Sequence, residues 1–182
     1  MRLSVFTTVV VLIPASLPCA QDGQLPNPSK PRLSLSCARS PCRFRQGETI
    51  SVDLGFSAEA AGYGVYTKHP DRLELGDIFD AFTAYPAEGA ADPAGDPGPF
   101  GRWAVASWDP SLDPLSGQSE VKVRVELSQW IRFKKPGSYR VTAVSKRVCT
   151  MDGPYHLAIW DGSNCAEVTS GPIAIEIVAA GE

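Results

Sequence analysis

Four cysteines carry the most specific chemistry in this chain. Cys37 and Cys42 stand close together, as do Cys149 and Cys165, while Cys19 lies near the N-terminus. Four thiols in two pairs can hold zinc or close disulfides. Zinc ribbons space each thiolate pair by two residues, and neither pair here has that spacing. With Cys19 set aside, an even number in an exported chain implies disulfides, for which three connectivities exist. Proximity favours Cys37–Cys42 and Cys149–Cys165. The second would close a loop of fifteen residues, which loop entropy values at roughly 3 kcal/mol.

That loop also holds Tyr155, His156 and Trp160. A covalent clamp lowers the entropic cost of binding, and aromatic side chains supply much of the contact energy in interfaces. With Trp108, which precedes the turn-forming Asp109-Pro110, these residues form the candidate ligand-binding set. Trp108, Trp160 and Tyr155 exposed in a row would stack on sugar rings. The competing account folds Leu157 and Ile159 back over the open end of the core, with Trp160 free to follow.

Other chemistry is poorly supported. His69 and His156 are the only histidines, too few for a three-histidine metal site, and His69 reads as a solvated turn residue. Asp92 and Asp96, with Asp109 and Asp113 nearby, are weak calcium candidates, since carboxylates on loops suit that ion. Asp-Pro and Asp-x-Gly turns explain the same residues without a metal. There is no nucleophile elbow, His-Glu-x-x-His, phosphate loop or Cys-x-x-Cys. Gly62-Tyr63-Gly64 starts a dinucleotide pattern, but Thr67 stands where its third glycine belongs. The reading is therefore no catalytic residues and no cofactor. A serine triad around His156 and Asp152 has no spacing to specify it.

The elements that must position these residues are strands. Arg32–Cys37 alternates. Residues 49–56 put Ile50, Val52, Leu54 and Phe56 on one face, and 121–127 put Val121, Val123, Val125 and Leu127 inward with Lys122, Arg124 and Glu126 outward. Period two at such length is a strong strand signal. Residues 63–68 and 78–85 predict two further strands. Residues 86–101, with four prolines, four glycines and three acids, predict a long loop, and 103–108 a return to strand. A strand over 138–149 follows the turn Pro136-Gly137, and 169–178 closes the domain with Ile173, Ile175 and Ile177 on one face. Trp130 and Phe133 are assigned to the core. No window shows helical periodicity after the N-terminal segment.

Met1-Arg2, the apolar run Val5–Ile13 and small residues up to Ala20 predict a signal peptide over 1–20. The run is too short to span a bilayer. Residues 21–31, with three prolines, predict a flexible leader, 32–178 the domain and 179–182 a tail. The chain carries 17 basic and 20 acidic residues, a net charge of −3; without Arg2 the balance is 16 against 20, or −4. No basic stripe appears in the sequence, which argues against nucleic acid and anionic membrane surfaces as partners, and the short apolar run argues against stable membrane insertion. A chain of 182 residues that is 43% hydrophobic supports one sizeable core.

An ordered series of segments resembles a known group. Gly47-Glu48 followed by residues 49–54, then Trp130–Phe133, Pro136-Gly137-Ser138-Tyr139, residues 144–148, and Ser170 through Ile177 together resemble the immunoglobulin-like domain of uncharacterised exported proteins of acidobacteria-type soil bacteria. The likeness covers roughly residues 32–178. It implies an all-β, immunoglobulin-like antiparallel β-sandwich in a secreted or periplasmic compartment, and it carries no catalytic residues. The residues agree: a Pro-Gly turn before Ser138-Tyr139 reads as a sandwich corner, with the Tyr139 hydroxyl bonding back to a nearby backbone group. The expectation is a non-catalytic exported binding or structural module, its partner a protein or glycan. Alternatives are a carbohydrate-binding module, a protease-inhibitor-like domain or a hydrolase of unrecognised site.

Overall fold

Period-two patterning in the sequence becomes alternating burial in the strands. The structure is a computed structural model that describes residues 30–68, 72, 79–93, 112–117, 119–151 and 164–181. Twelve strands are present among the described residues, and they form two main sheets. In the first, β1 (Arg32–Cys37), β3 (Ser51–Ser57) and β8 (Val121–Glu126) run antiparallel in the order β1-β3-β8. The second follows the order β2-β12-β10-β4-β7, from β2 (Arg43–Arg45), β12 (Ile173–Val178), β10 (Gly137–Thr150), β4 (Tyr63–Val65) and β7 (Asp113–Pro114). Strands β5 (Asp80–Tyr85) and β11 (Cys165–Thr169) also pair with β10. The chain is all-β, two sheets enclosing a main core.

One cluster of buried side chains fills that core. Leu35, Val52, Leu54, Phe56, Val123 and Val125 come from the first sheet; Phe44, Val65, Tyr139, Val141, Ile175 and Ile177 come from the second. Trp130 and Phe133 are buried in it too.

Four details differ from the sequence reading. Arg43–Arg45 is a strand, and it runs parallel to β12, with Phe44 opposite Ile177; the sandwich is therefore mixed and not purely antiparallel. Burial of Phe44 between two exposed arginines explains the placement, because three residues are too few to show a period. The stretch expected to be a loop from residue 86 begins with a 3-10 turn, Ala87–Gly89, and β6 (Ala90–Ala91), which pairs with β9 (Arg132–Phe133). The closing segment is two strands, β11 and β12. Leu127 leaves β8 to start a 3-10 turn, yet is fully buried.

β10 organises the second sheet. Tyr139, Val141 and Ala143 face the main core. Pairing with β11 then shifts between Ser145 and Val148, a bulge. Beyond it Val148 faces the main core, while Cys149 joins a second cluster with Tyr66 and Phe79. An extra residue changes which parity of position points inward, since side chains alternate with period two.

At its other end β10 is entered through Gly137, at φ 151°. The Tyr139 hydroxyl donates to the Lys135 carbonyl at 2.8 Å and lies 3.3 Å from the Gly89 carbonyl. Its ring tilts against Phe133 with centroids 4.6 Å apart. A Cβ on Gly89 would come within 2.1 Å of that hydroxyl and 2.7 Å of the ring, a clash with a rigid, buried side chain. Gly89→Ala is expected to cost about 1–3 kcal/mol, read from the urea midpoint; an unchanged midpoint would mean that the 3-10 turn gives way without cost.

The same tyrosine makes stability pH-dependent. Burial first, and the Glu88 carboxylate second, hold its phenol pKa above the ordinary value. Below about pH 10 the phenol is neutral in both states and its contribution is fully present. As pH rises past that value the unfolded chain ionises first, so stability falls until the folded pKa is reached. Tyr139→Phe should cost about 1 kcal/mol at neutral pH and lose less stability than wild type between about pH 9 and 11. Parallel pH curves from denaturant titrations would refute the assignment.

Candidate functional site

Four of the five cysteines form two disulfides, Cys37–Cys42 and Cys149–Cys165. The second joins residues directly opposite each other across β10 and β11. Thr150 N–H continues the ladder to the Asn164 carbonyl at 2.9 Å. Tyr155, His156 and Trp160 fall between these cysteines in the sequence and lie outside the described residues; Trp108, Asp96, His69, Asp109 and residues 1–29 are outside them too.

Next to the sulfur clamp is a charged pair that no motif announces. Arg147 and Asp80 are both fully buried. Arg147 Nε donates to Asp80 Oδ2 at 2.8 Å, and Nη2 approaches the same oxygen at 2.7 Å. Nη1 donates to the carbonyls of Tyr66 and Lys68, each at 3.0 Å. The Ser145 hydroxyl donates to Asp80 Oδ1 at 2.7 Å. The guanidinium also lies over the Phe79 ring, 4.9 Å from its centroid, and Phe79 stacks on Tyr66. Arg suits this position because its planar fork serves several acceptors at once. Both carboxylate oxygens of Asp80 are engaged, so the arrangement binds strands together: it ties β5 to β10 and to the chain after β4.

A second fork lies near it. Arg72, itself buried, donates through Nη1 and Nη2 to the two oxygens of Asp92 at 2.6 and 2.8 Å, and Nη1 also reaches the Gln129 carbonyl at 2.8 Å. Asp92, weighed above as a calcium ligand, thus sits in an ion pair. Arg72, Asp92 and Trp130 border a groove of about 450 Å³. Among the described residues no three or more His, Cys, Asp or Glu side chains converge as a metal site, and no helix is long and apolar enough to cross a membrane.

At the end of the sandwich near β2 and β9, cations from distant segments assemble. Arg43 and Arg45 project outward on either side of Phe44, and Arg132 and Lys134 do the same around Phe133. Gln46 links the two stretches, its side-chain amide donating to the Lys134 carbonyl at 2.7 Å. Arg39 sits 4.0 Å above the Phe44 ring and donates to Glu48 at 2.7 Å. That bond first, and the Arg45 backbone N–H second, hold the Glu48 carboxyl below its ordinary pKa. Arg39, the one long side chain of the small Cys37–Cys42 loop, is therefore folded back onto its own segment, unlike the outstretched residue by which an inhibitor loop enters a protease pocket.

Sequence reasoning missed Arg147, Asp80, Arg72 and the basic end. The available signals were Asp80, on the inward face with Phe82 and Ala84, and Arg147, on the inward parity of Tyr139, Val141 and Ala143. No protein-family model matches the chain, and no curated protein matches it in sequence.

Proposed function

We propose that this chain is an exported immunoglobulin-like module that binds or braces other molecules and does not catalyse a reaction. The observation that carries this reading is the hydrogen bond from Tyr139 to the Lys135 carbonyl at the start of β10. A tyrosine bonded to upstream backbone at the entry to a central strand is a hallmark of immunoglobulin sandwiches. Strand order supports it as well: β4-β10-β12 as neighbours in one sheet and β1-β3-β8 in the other follow the division of strands in that fold. The resemblance to acidobacteria-type exported proteins points the same way. Export is supported by the apolar N-terminal run and by the two disulfides, which persist in oxidising compartments. Interaction rather than turnover is supported by the chemistry of the interior, where the buried carboxylate Asp80 serves Arg147 and Ser145.

The test pairs maturation with activity. The chain exported from a bacterial host should begin near residue 21, contain no free thiol and leave a panel of ester, glycoside and peptide substrates unturned. Turnover that His156→Ala abolishes would sink the module reading, and a retained N-terminus with reduced cysteines would sink export.

A further inference from the structure

The sequence shows no basic stripe, yet the fold builds a basic end. Arg45 belongs to β2; Arg132 belongs to β9, and Lys134 follows that strand. All three are exposed; the Arg45 charge acts on the Glu48 carboxylate, while Arg132 and Lys134 form no ion pair with a carboxylate among the described residues. They rim a groove of about 660 Å³ whose floor is apolar, formed by Ile50, Ile131, Phe133 and Ile177. The one acid on its rim, Glu48, is held by Arg39 and the Arg45 backbone N–H. A neighbouring groove of about 720 Å³ shares Arg45 and Glu48 and adds Arg39 and Arg43. Positive charge is thus concentrated at one end of a chain whose net charge is −3.

We propose that this groove docks an acidic peptide segment of a partner protein, with an apolar side chain on the Ile131–Phe133 floor and carboxylates against Arg45, Arg132 and Lys134. Two features select that occupant. An apolar floor within a cationic rim matches a segment that mixes carboxylates with a large apolar residue, because the anchor is desolvated at the centre and the charges steer from the edge. A long polyanion would instead run beyond the basic end onto an acidic body. Screening confines the attraction to about 8 Å at physiological salt, which favours a short acidic stretch over nucleic acid. The proposal rests on the binding-module reading and names its partner chemistry.

Fluorescence anisotropy with a labelled Glu-Asp-Phe-Glu-Asp peptide tests it on the mature, oxidised chain. Saturable binding is expected, weakened about tenfold by Arg132→Glu with Lys134→Glu and separately by Arg45→Glu, with unchanged circular dichroism and thermal midpoint. If charge reversal prevents folding, Arg132→Gln with Lys134→Gln carries the same test. Replacing the probe's Phe by Ala should weaken binding several-fold. The proposal is overturned if the peptide does not bind, if the variants bind as wild type does, or if Phe and Ala probes bind alike. Phosphatidylglycerol vesicles or a single-stranded oligonucleotide binding where the peptide does not would likewise overturn it. A failed peptide leaves the module reading standing, because that reading falls on substrate turnover.

Discussion

Asp80→Asn is expected to lower the unfolding free energy by about 3–5 kcal/mol, the cost of leaving a buried charge without its counterion. The substitution keeps the size of the side chain but takes the Asp80 charge away from the Arg147 guanidinium, which is fully buried. A domain of ordinary stability has about 5–15 kcal/mol in total, so the variant would approach the edge of folding at moderate temperature. The urea midpoint should fall with an unchanged slope. The loss should be insensitive to salt, because screening does not reach a pair without solvent contact. Asp80→Leu combined with Arg147→Met and Ser145→Ala should recover most of it, since apolar replacement of a whole buried pair is often neutral or stabilising. A loss of less than about 1 kcal/mol in Asp80→Asn would mean that water reaches the pair, and the burial argument would fail.

That pair also marks the limit of sequence reading. The strands β1, β3, β8 and β12 were legible because each has one wet and one dry face over six or seven residues. Tyr139 stood out because Pro136-Gly137 announces a turn two residues before it. Arg147 did not, although it continues the buried parity of Tyr139, Val141 and Ala143, since a charged residue is ordinarily read as facing solvent. The bulge against β11 then brings Val148 inward beside it, and a bulge is a property of two strands, readable from neither alone. The basic end was hidden for a similar reason. Arg43-Phe44-Arg45 and Arg132-Phe133-Lys134 are each an apolar residue between two cations, too short to register, and they meet through the β2–β12 pairing and the Gln46 bond to Lys134. Residue types were visible in the sequence, whereas convergence required the register.

Cys149→Ala with Cys165→Ala is expected to cost about 3 kcal/mol, against about 2 for the same change at Cys37 and Cys42, because the closed loop is longer. Both links exist in the fold, but they constrain different things. Cys37–Cys42 spans five positions and ties a tight turn, where little loop entropy is available to remove. Cys149–Cys165 spans sixteen positions and fastens the last paired residues of β10 to β11. Cys149 is also 1% exposed and packs with Tyr66 and Phe79, so alanine there removes buried volume as well as a constraint. The loss should appear first as faster amide exchange along β11, then as a lower urea midpoint, and reduction of the wild-type chain should reproduce most of it. Equal losses for the two pairs would show that packing around sulfur, and not loop closure, sets the contribution. The comparison bears on function as well, because this link closes the segment 150–164 covalently, beside the Thr150 N–H bond to the Asn164 carbonyl. A partner contacting Tyr155, His156 or Trp160 would bind the reduced chain more weakly, whereas a partner in the basic groove would be indifferent to opening of this disulfide.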